Sequence, residues 1–137
     1  MMNNYLISEA IGYIACSAYE GRGRRIKDYD KVKMFSSRAH FTDATVLTFA
    51  CAEAFIDGLD MTMNLWKCAN EHRHAGFGSK FKLWMASHNP QPYRSLGNGS
   101  AMRCSSAGWL AKTEDECIQM ATETAAPTHN HPEGIIA

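Results

Sequence analysis

Apolar residues along the first twenty positions repeat with a helical period. Ile7, Ile11, Ile14 and Ala18 recur at spacings of four, three and four, which lines them along one helix face. The pattern predicts a helix over Asn4 to Tyr19, ending near Gly21. A second apolar face, Val46, Phe49, Ala50 and Ala54, follows Thr42 and Asp43. Thr42 is suited to cap that helix, and Asp43 in its first turn favours the positive end of the dipole. Gly58 stops it, and Asp60 can cap a third helix carrying Leu65, Trp66 and Ala69.

The run His72 to Gly78 reads as loop and Phe81 to Met85 as a short aromatic turn. Asn89-Pro90-Gln91-Pro92 forbids regular helix, because each proline removes a donor and biases its predecessor to extended geometry. After Gly97-Asn98-Gly99, the segment Ser100 to Ala111 reads as helix. Thr113-Glu114-Asp115-Glu116 is a capping box that opens another, through about Ala126. Asn130-His131-Pro132-Glu133-Gly134 supplies a cap candidate, a proline near the first helical position and an acid in the first turn, so it starts a last, short helix. No segment alternates strictly, and Asn98-Gly99 lies between loop and helix rather than between strands. The predicted fold class is all-α, in one domain over residues 1–137.

Composition changes this picture little. With 45% hydrophobic and 20% charged residues, the chain can build one ordinary core, which sets aside disordered and collagen-like readings. Fourteen Lys and Arg balance fourteen Asp and Glu, so no net field draws the chain to nucleic acid or an anionic membrane. No apolar run approaches a membrane span, and Met1-Met2-Asn3-Asn4 lacks the features of a secretory signal. The cysteines at 16, 51, 68, 104 and 117 are odd in number and form no Cys-x-x-Cys pair, which disfavours a disulfide framework or structural zinc. The expectation is a soluble, cytoplasmic protein.

Charge is nonetheless uneven. Between Gly21 and His40, Arg22, Arg24, Arg25, Lys27, Lys31, Lys33 and Arg38 outnumber Asp28 and Asp30 by seven to two. A surface connection collects such charge by default; a patch for an anion or a partner protein, with Arg22, Arg24 and Arg25 as contacts, is the alternative.

Two further places can carry chemistry. Thr42 and Asp43 offer a hydroxyl and a carboxylate at a helix start, oxygen ligands of the kind magnesium or calcium prefers, although both also serve as plain caps. Gly97-Asn98-Gly99-Ser100 ahead of a helix can point several backbone N–H groups at one spot and so bind phosphate, and Arg103 one turn on can add positive charge. The same tripeptide also occurs in ordinary turns. The His72/His74 and His129/His131 pairs fall in loops without a Cys or carboxylate arrangement of recognised metal-binding geometry, which fits hydrogen bonding better than metal binding. Trp66, Trp84 and Trp109 are expected in the core.

Read in order, Ile11-Gly12-Tyr13-Ile14 with Tyr19-Glu20, then Phe41-Thr42-Asp43-Ala44-Thr45-Val46-Leu47-Thr48, then Gly97-Asn98-Gly99-Ser100-Ala101-Met102-Arg103, then Thr128-His129-Asn130-His131-Pro132-Glu133-Gly134, resemble the ADP-ribosylglycohydrolase family. The resemblance spans nearly the whole chain but only the front portion of that family's orthogonal helical domain, so it implies an incomplete, truncated domain. It implies cleavage of the bond joining ADP-ribose to a modified acceptor, with two magnesium ions held by helix-borne carboxylates. Thr42 and Asp43 match the family's Thr-Asp-Asp metal segment, but its third position is Ala44, and the later Asp-x-Asp-Thr segment has no counterpart. Tyr13 stands where the family commonly has Asp. Gly97, Asn98, Gly99, Ser100 and Arg103 match the loop around the diphosphate, and His129 matches a histidine lining the ADP-ribose pocket.

The expected function is therefore binding of an ADP-ribose-type ligand or of a protein partner, with catalysis impaired and no firmly held cofactor. A homo-oligomer is one such partnership. An inhibitor or adaptor, such as a phage or mobile-element product that blocks a host defence complex, is the second expectation. A magnesium-dependent hydrolase completed by another subunit is the third.

Overall fold

The computed structural model describes residues 2–20, 26 and 28–136. Among them are eight α-helices, one 3-10 turn at Tyr29–Lys31 and no strand. The helices are α1 (Met2–Ser17), α2 (Asp43–Asp57), α3 (Met61–Glu71), α4 (Ser79–Met85), α5 (Gly99–Arg103), α6 (Ser105–Leu110), α7 (Glu114–Ala125) and α8 (Pro132–Ile136). The all-α expectation holds. The basic residues Arg22, Arg24 and Arg25, read as a possible partner contact, lie outside the described residues.

Helix α2 is the hub. It packs chiefly on α3 and also meets α1, α5 and α6. Small residues permit this: Ala44, Ala50, Cys51, Ala52 and Ala54 are all buried, so α2 hides nearly its whole circumference rather than one stripe. Phe49, expected on the buried face, is 42% exposed. The main core joins α2 and α3 to the segment Ala75–Met85 through Leu47, Leu65, Ala69, Phe77, Phe81 and Trp84. Gly58 ends α2 in the left-handed conformation at φ 65°, where glycine carries no Cβ penalty.

Helix α1 forms where its period predicts, but the expected face is covered only toward its end, at Ile14 and Ala18. Leu6, Ala15, Ser17 and Ala18 are buried, while Ile7 and Ile11 stand exposed. Polar side chains decide the rotation. Tyr13 Oη lies 2.7 Å from the Met102 carbonyl and 2.8 Å from Glu9 Oε1, and Ser105 Oγ donates to Glu9 Oε2. Ser17 Oγ accepts from the His40 N–H at 2.9 Å. These bonds need partners inside the fold, because a buried polar group without one is costly, whereas Ile7 and Ile11 can remain in water.

Three other expectations are corrected. The segment Phe81–Met85 is the body of helix α4, not a turn. The helix predicted over Ser100–Ala111 breaks at Cys104 into α5 and α6. At the break the Met102 carbonyl accepts from the Tyr13 and Thr48 hydroxyls, and the two halves face different neighbours: Arg103 reaches α7 and Ser105 reaches α1. Trp84 is in the core and Trp66 donates to the Ser87 carbonyl, but Trp109 is 49% exposed and stacks on Tyr5 at 4.3 Å. The Thr113 cap holds as read. Its hydroxyl accepts from the Glu116 N–H at 3.2 Å, while Glu116 reaches back one residue further, to the Lys112 N–H at 2.6 Å.

Candidate functional site

A cleft of about 410 Å³ opens between the start of α2, the start of α4, the 93–99 loop and the 128–129 turn. Its walls include Asp43, Lys80, Tyr93, Gly97, Asn98, Gly99, Arg103, Thr128 and His129. Residues from four separate stretches of sequence thus meet in one place. Ser100 lies just behind, buried, with its hydroxyl donating to the Gly134 carbonyl at 2.9 Å.

The glycine turn is held from outside itself. The Arg94 N–H donates to Asn130 Oδ1 at 2.8 Å, and the Ser95 N–H to the Thr128 carbonyl at 3.0 Å. Asn130 therefore ties the loop down rather than capping α8; the Glu133 N–H there meets His131 Nδ1 instead. Arg94 sits at φ 53°, a conformation L residues seldom adopt, and its N–H bond to Asn130 helps fix it there. Gly134 packs so closely that a Cβ on it would lie 2.7 Å from the Ser95 carbonyl oxygen.

Arg103 is 1% exposed. Its Nε donates to the Thr124 carbonyl at 2.8 Å, and Nη2 to Thr128 Oγ1 at 2.8 Å and the Ala125 carbonyl at 3.4 Å. These groups close the C-terminal end of α7, where carbonyls lack helical partners and a cation suits the dipole. The other nitrogen, Nη1, lies on the Gly99 side, 3.8 Å from where a Cβ on that glycine would be. Among the described residues no carboxylate lies within ion-pair distance of Arg103. Burial pushes its pKa down, yet a guanidinium stays charged in proteins.

His129 is 2% exposed, with Nδ1 2.7 Å from Thr128 Oγ1 and Nε2 3.0 Å from the Gly97 carbonyl. Burial lowers its pKa; the Gly97 hydrogen bond acts the other way and the Arg103 charge reinforces the drop. The ring lines the cleft but uses both nitrogens on the protein. Its neighbour pair member His131, and His72, which meets the Phe41 ring edge-on, make local contacts.

At the start of α2, Thr42 occupies the N-cap position in a capping-box arrangement with Thr45, but its hydroxyl faces the Thr45 N–H without full hydrogen-bond geometry. Thr45 Oγ1 accepts from the Thr42 N–H at 3.4 Å, whereas Thr42 Oγ1 is buried with no hydrogen-bond partner. Burial pushes the Asp43 carboxyl above its ordinary pKa, opposed by the Ala44 N–H that donates to it at 3.0 Å. An orphaned hydroxyl beside a carboxylate fits one corner of a magnesium shell. It does not fit a pair of ions, because Ala44 adds only a methyl group and, among the described residues, no three His, Cys, Asp or Glu side chains gather at metal-binding distance.

Sequence reasoning missed Thr128, the residue that links Arg103 to His129. It also missed Asn130's part in holding the loop. Among the described residues no helix is long and apolar enough to cross a membrane. Neither curated proteins nor solved structures give a match. The model of one family, ADP-ribosylglycohydrolase, matches residues 5–137, nearly every position that carries the helices and the whole wall of the cleft, and the chain belongs to that family.

Proposed function

We infer that this chain works by binding an ADP-ribose-type nucleotide in the cleft, and that it does not hydrolyse one unaided. The observation that carries the reading is Arg103: a buried guanidinium in the cleft wall with no carboxylate at ion-pair distance among the described residues. Two carbonyls, a hydroxyl and the end of α7 solvate this charge in part but carry no full counter-charge, which an anion entering the cleft would supply. Lys80 adds a second positive group to the same wall. The glycines at 97 and 99, which carry no side chain, permit close approach of a diphosphate to the backbone there. Against hydrolysis stands the methyl of Ala44 next to the oxygen donors Thr42 and Asp43.

Isothermal titration with ADP-ribose tests the binding, with magnesium present and absent, and with pyrophosphate and ribose 5-phosphate as partial ligands. Heat of binding that weakens when Lys80 becomes Gln supports it; no heat at millimolar ligand refutes it. Magnesium-dependent release of ADP-ribose from a modified peptide by the purified chain alone would overturn the non-hydrolytic half.

A protein partner is the second reading, favoured by the exposed Ile7 and Ile11 of α1 and the exposed Tyr5–Trp109 stack. Such side chains, when contiguous, mark interaction surfaces. An inhibitor or adaptor role, or completion of a magnesium-dependent hydrolase by another subunit, would use such a surface. Light scattering across a concentration series checks the homo-oligomer version; a monomer throughout excludes it.

A further inference from the structure

The hydrogen bonds around His129 run in one consistent direction. The Gly97 carbonyl can only accept, so His129 Nε2 carries the proton in their 3.0 Å bond. The guanidinium of Arg103 can only donate, so Thr128 Oγ1 accepts from Nη2 at 2.8 Å. The hydroxyl's own proton then goes to His129 Nδ1, 2.7 Å away. A doubly protonated ring would aim donors from two cations at one hydroxyl oxygen and leave that hydroxyl's proton without the ring as acceptor. His129 is thus the neutral, Nε2-protonated tautomer, and the lowered proton affinity of the buried ring agrees.

Thr128 also reaches the loop by a second route, because its carbonyl accepts the Ser95 N–H at 3.0 Å. One fully buried residue therefore grips the loop at Ser95 directly through its backbone, and at Gly97 indirectly, through the bond its hydroxyl makes to His129. The two grips are separable, since only the second needs the hydroxyl.

We propose that Thr128 is a positioning residue of the nucleotide cleft: its hydroxyl passes the Arg103 donor to His129, selects the tautomer that pins Gly97, and so fixes the Gly97–Gly99 turn for a ligand's phosphate. This rests on the nucleotide reading of the cleft. Replacement of Thr128 by Val keeps the shape and the Ser95 bond but leaves Arg103 Nη2 and His129 Nδ1 facing a methyl group. Replacement by Ser restores the hydroxyl.

The test pairs long-range nitrogen NMR of the His129 ring, recorded without ligand, with ADP-ribose titration of the parent, Thr128→Val and Thr128→Ser. The parent at neutral pH is expected to show the Nε2-protonated neutral ring. Thr128→Val is expected to mix the tautomers, shift the Gly97–Gly99 amide signals and weaken ADP-ribose by about tenfold, the equivalent of one net hydrogen bond; Thr128→Ser is expected to recover all three. A parent ring protonated on Nδ1, or a Thr128→Val chain with parental tautomer, amide signals and affinity, overturns the proposal. If Thr128→Val fails to fold, the parent tautomer and the Thr128→Ser affinity still decide: an Nδ1-protonated parent, or a Ser variant weakened as far as tenfold, refutes it. A parent that binds no ADP-ribose refutes the nucleotide reading alone, because the ring and amide signals still report whether Thr128 governs the turn.

Discussion

Replacing Gly134 by alanine isolates the contact on which the loop's position depends. In a helix the change should help, by about 1 kcal/mol, because alanine loses less backbone freedom and exposes less backbone. Here the new Cβ would stand 2.7 Å from the Ser95 carbonyl oxygen, 3.3 Å from His129 Cδ2 and 3.6 Å from His129 Cβ. Ser95 cannot yield freely, since its N–H is bonded to Thr128 and the adjoining Arg94 N–H to Asn130. Overpacking of this sort costs about 1–3 kcal/mol. The clash therefore cancels or outweighs the propensity, for a net loss of up to about 2 kcal/mol, or up to about 8 °C in Tm for a chain of this size. Gly12 is the control: it lies within α1, and a Cβ there meets nothing within 4 Å. Its alanine variant should gain about 0.5–1 kcal/mol. Urea unfolding of the three proteins, with equal m values, reads the difference directly. The two alanines are expected to differ in sign, with weaker ADP-ribose binding for Gly134→Ala alone. Equal stabilisation by both would show that α8 does not press on the loop.

The buried His129 makes stability depend on pH. Its pKa is lower folded than unfolded, so its contribution is complete above about pH 6.5 and is lost as pH falls from there through the folded value; urea midpoints from pH 7.5 to 5 should fall more steeply for the parent than for His129→Gln, and parallel curves would contradict the burial. Leu65, fully buried in the α2–α3 core, should cost about 2–5 kcal/mol as alanine, whereas Leu83, 75% exposed on α4, should cost less than about 0.5 kcal/mol; chemical denaturation compares them, and similar losses would refute the packing described. Magnesium at millimolar concentration should raise Tm no more for the parent than for Asp43→Asn, since two adjacent oxygens hold the ion weakly; a rise confined to the parent, abolished by chelator, would show that the α2 start binds metal.

Helix existence was readable because caps and periods are local. The Asp60 carboxylate accepts from the Met63 N–H at 2.8 Å, and Thr113 from Glu116, as their spacing implies. Which face a helix buries is not local. Ile7 and Ile11 outweigh Tyr13 and Ser17 in hydrophobicity, but the bonds of Tyr13 to Met102 and Ser17 to His40 span 89 and 23 residues, beyond any helical window. The same distance effect broke the predicted Ser100–Ala111 helix. A carbonyl satisfied by Tyr13 and Thr48 leaves the backbone free to change direction, and no residue near Cys104 announces it.

The cleft divides in the same way. Asp43, the glycine turn, Arg103 and His129 were legible as residue types, and the fold gathers them into one wall. Their roles were not, because a role depends on which atoms are already engaged. Read alone, Arg103 is a charge for a ligand; in place, Nε and Nη2 hold the end of α7, and only Nη1 faces Gly99. Read alone, His129 is a pocket lining; in place, it bolts Gly97 down. Thr128, next to His129 and 25 residues from Arg103, could not be singled out until that arginine was known to reach it. The buried charge consequently organises the cleft before any ligand arrives: the guanidinium that closes a helix end also orders, through one hydroxyl and one imidazole, the turn against which a phosphate would lie.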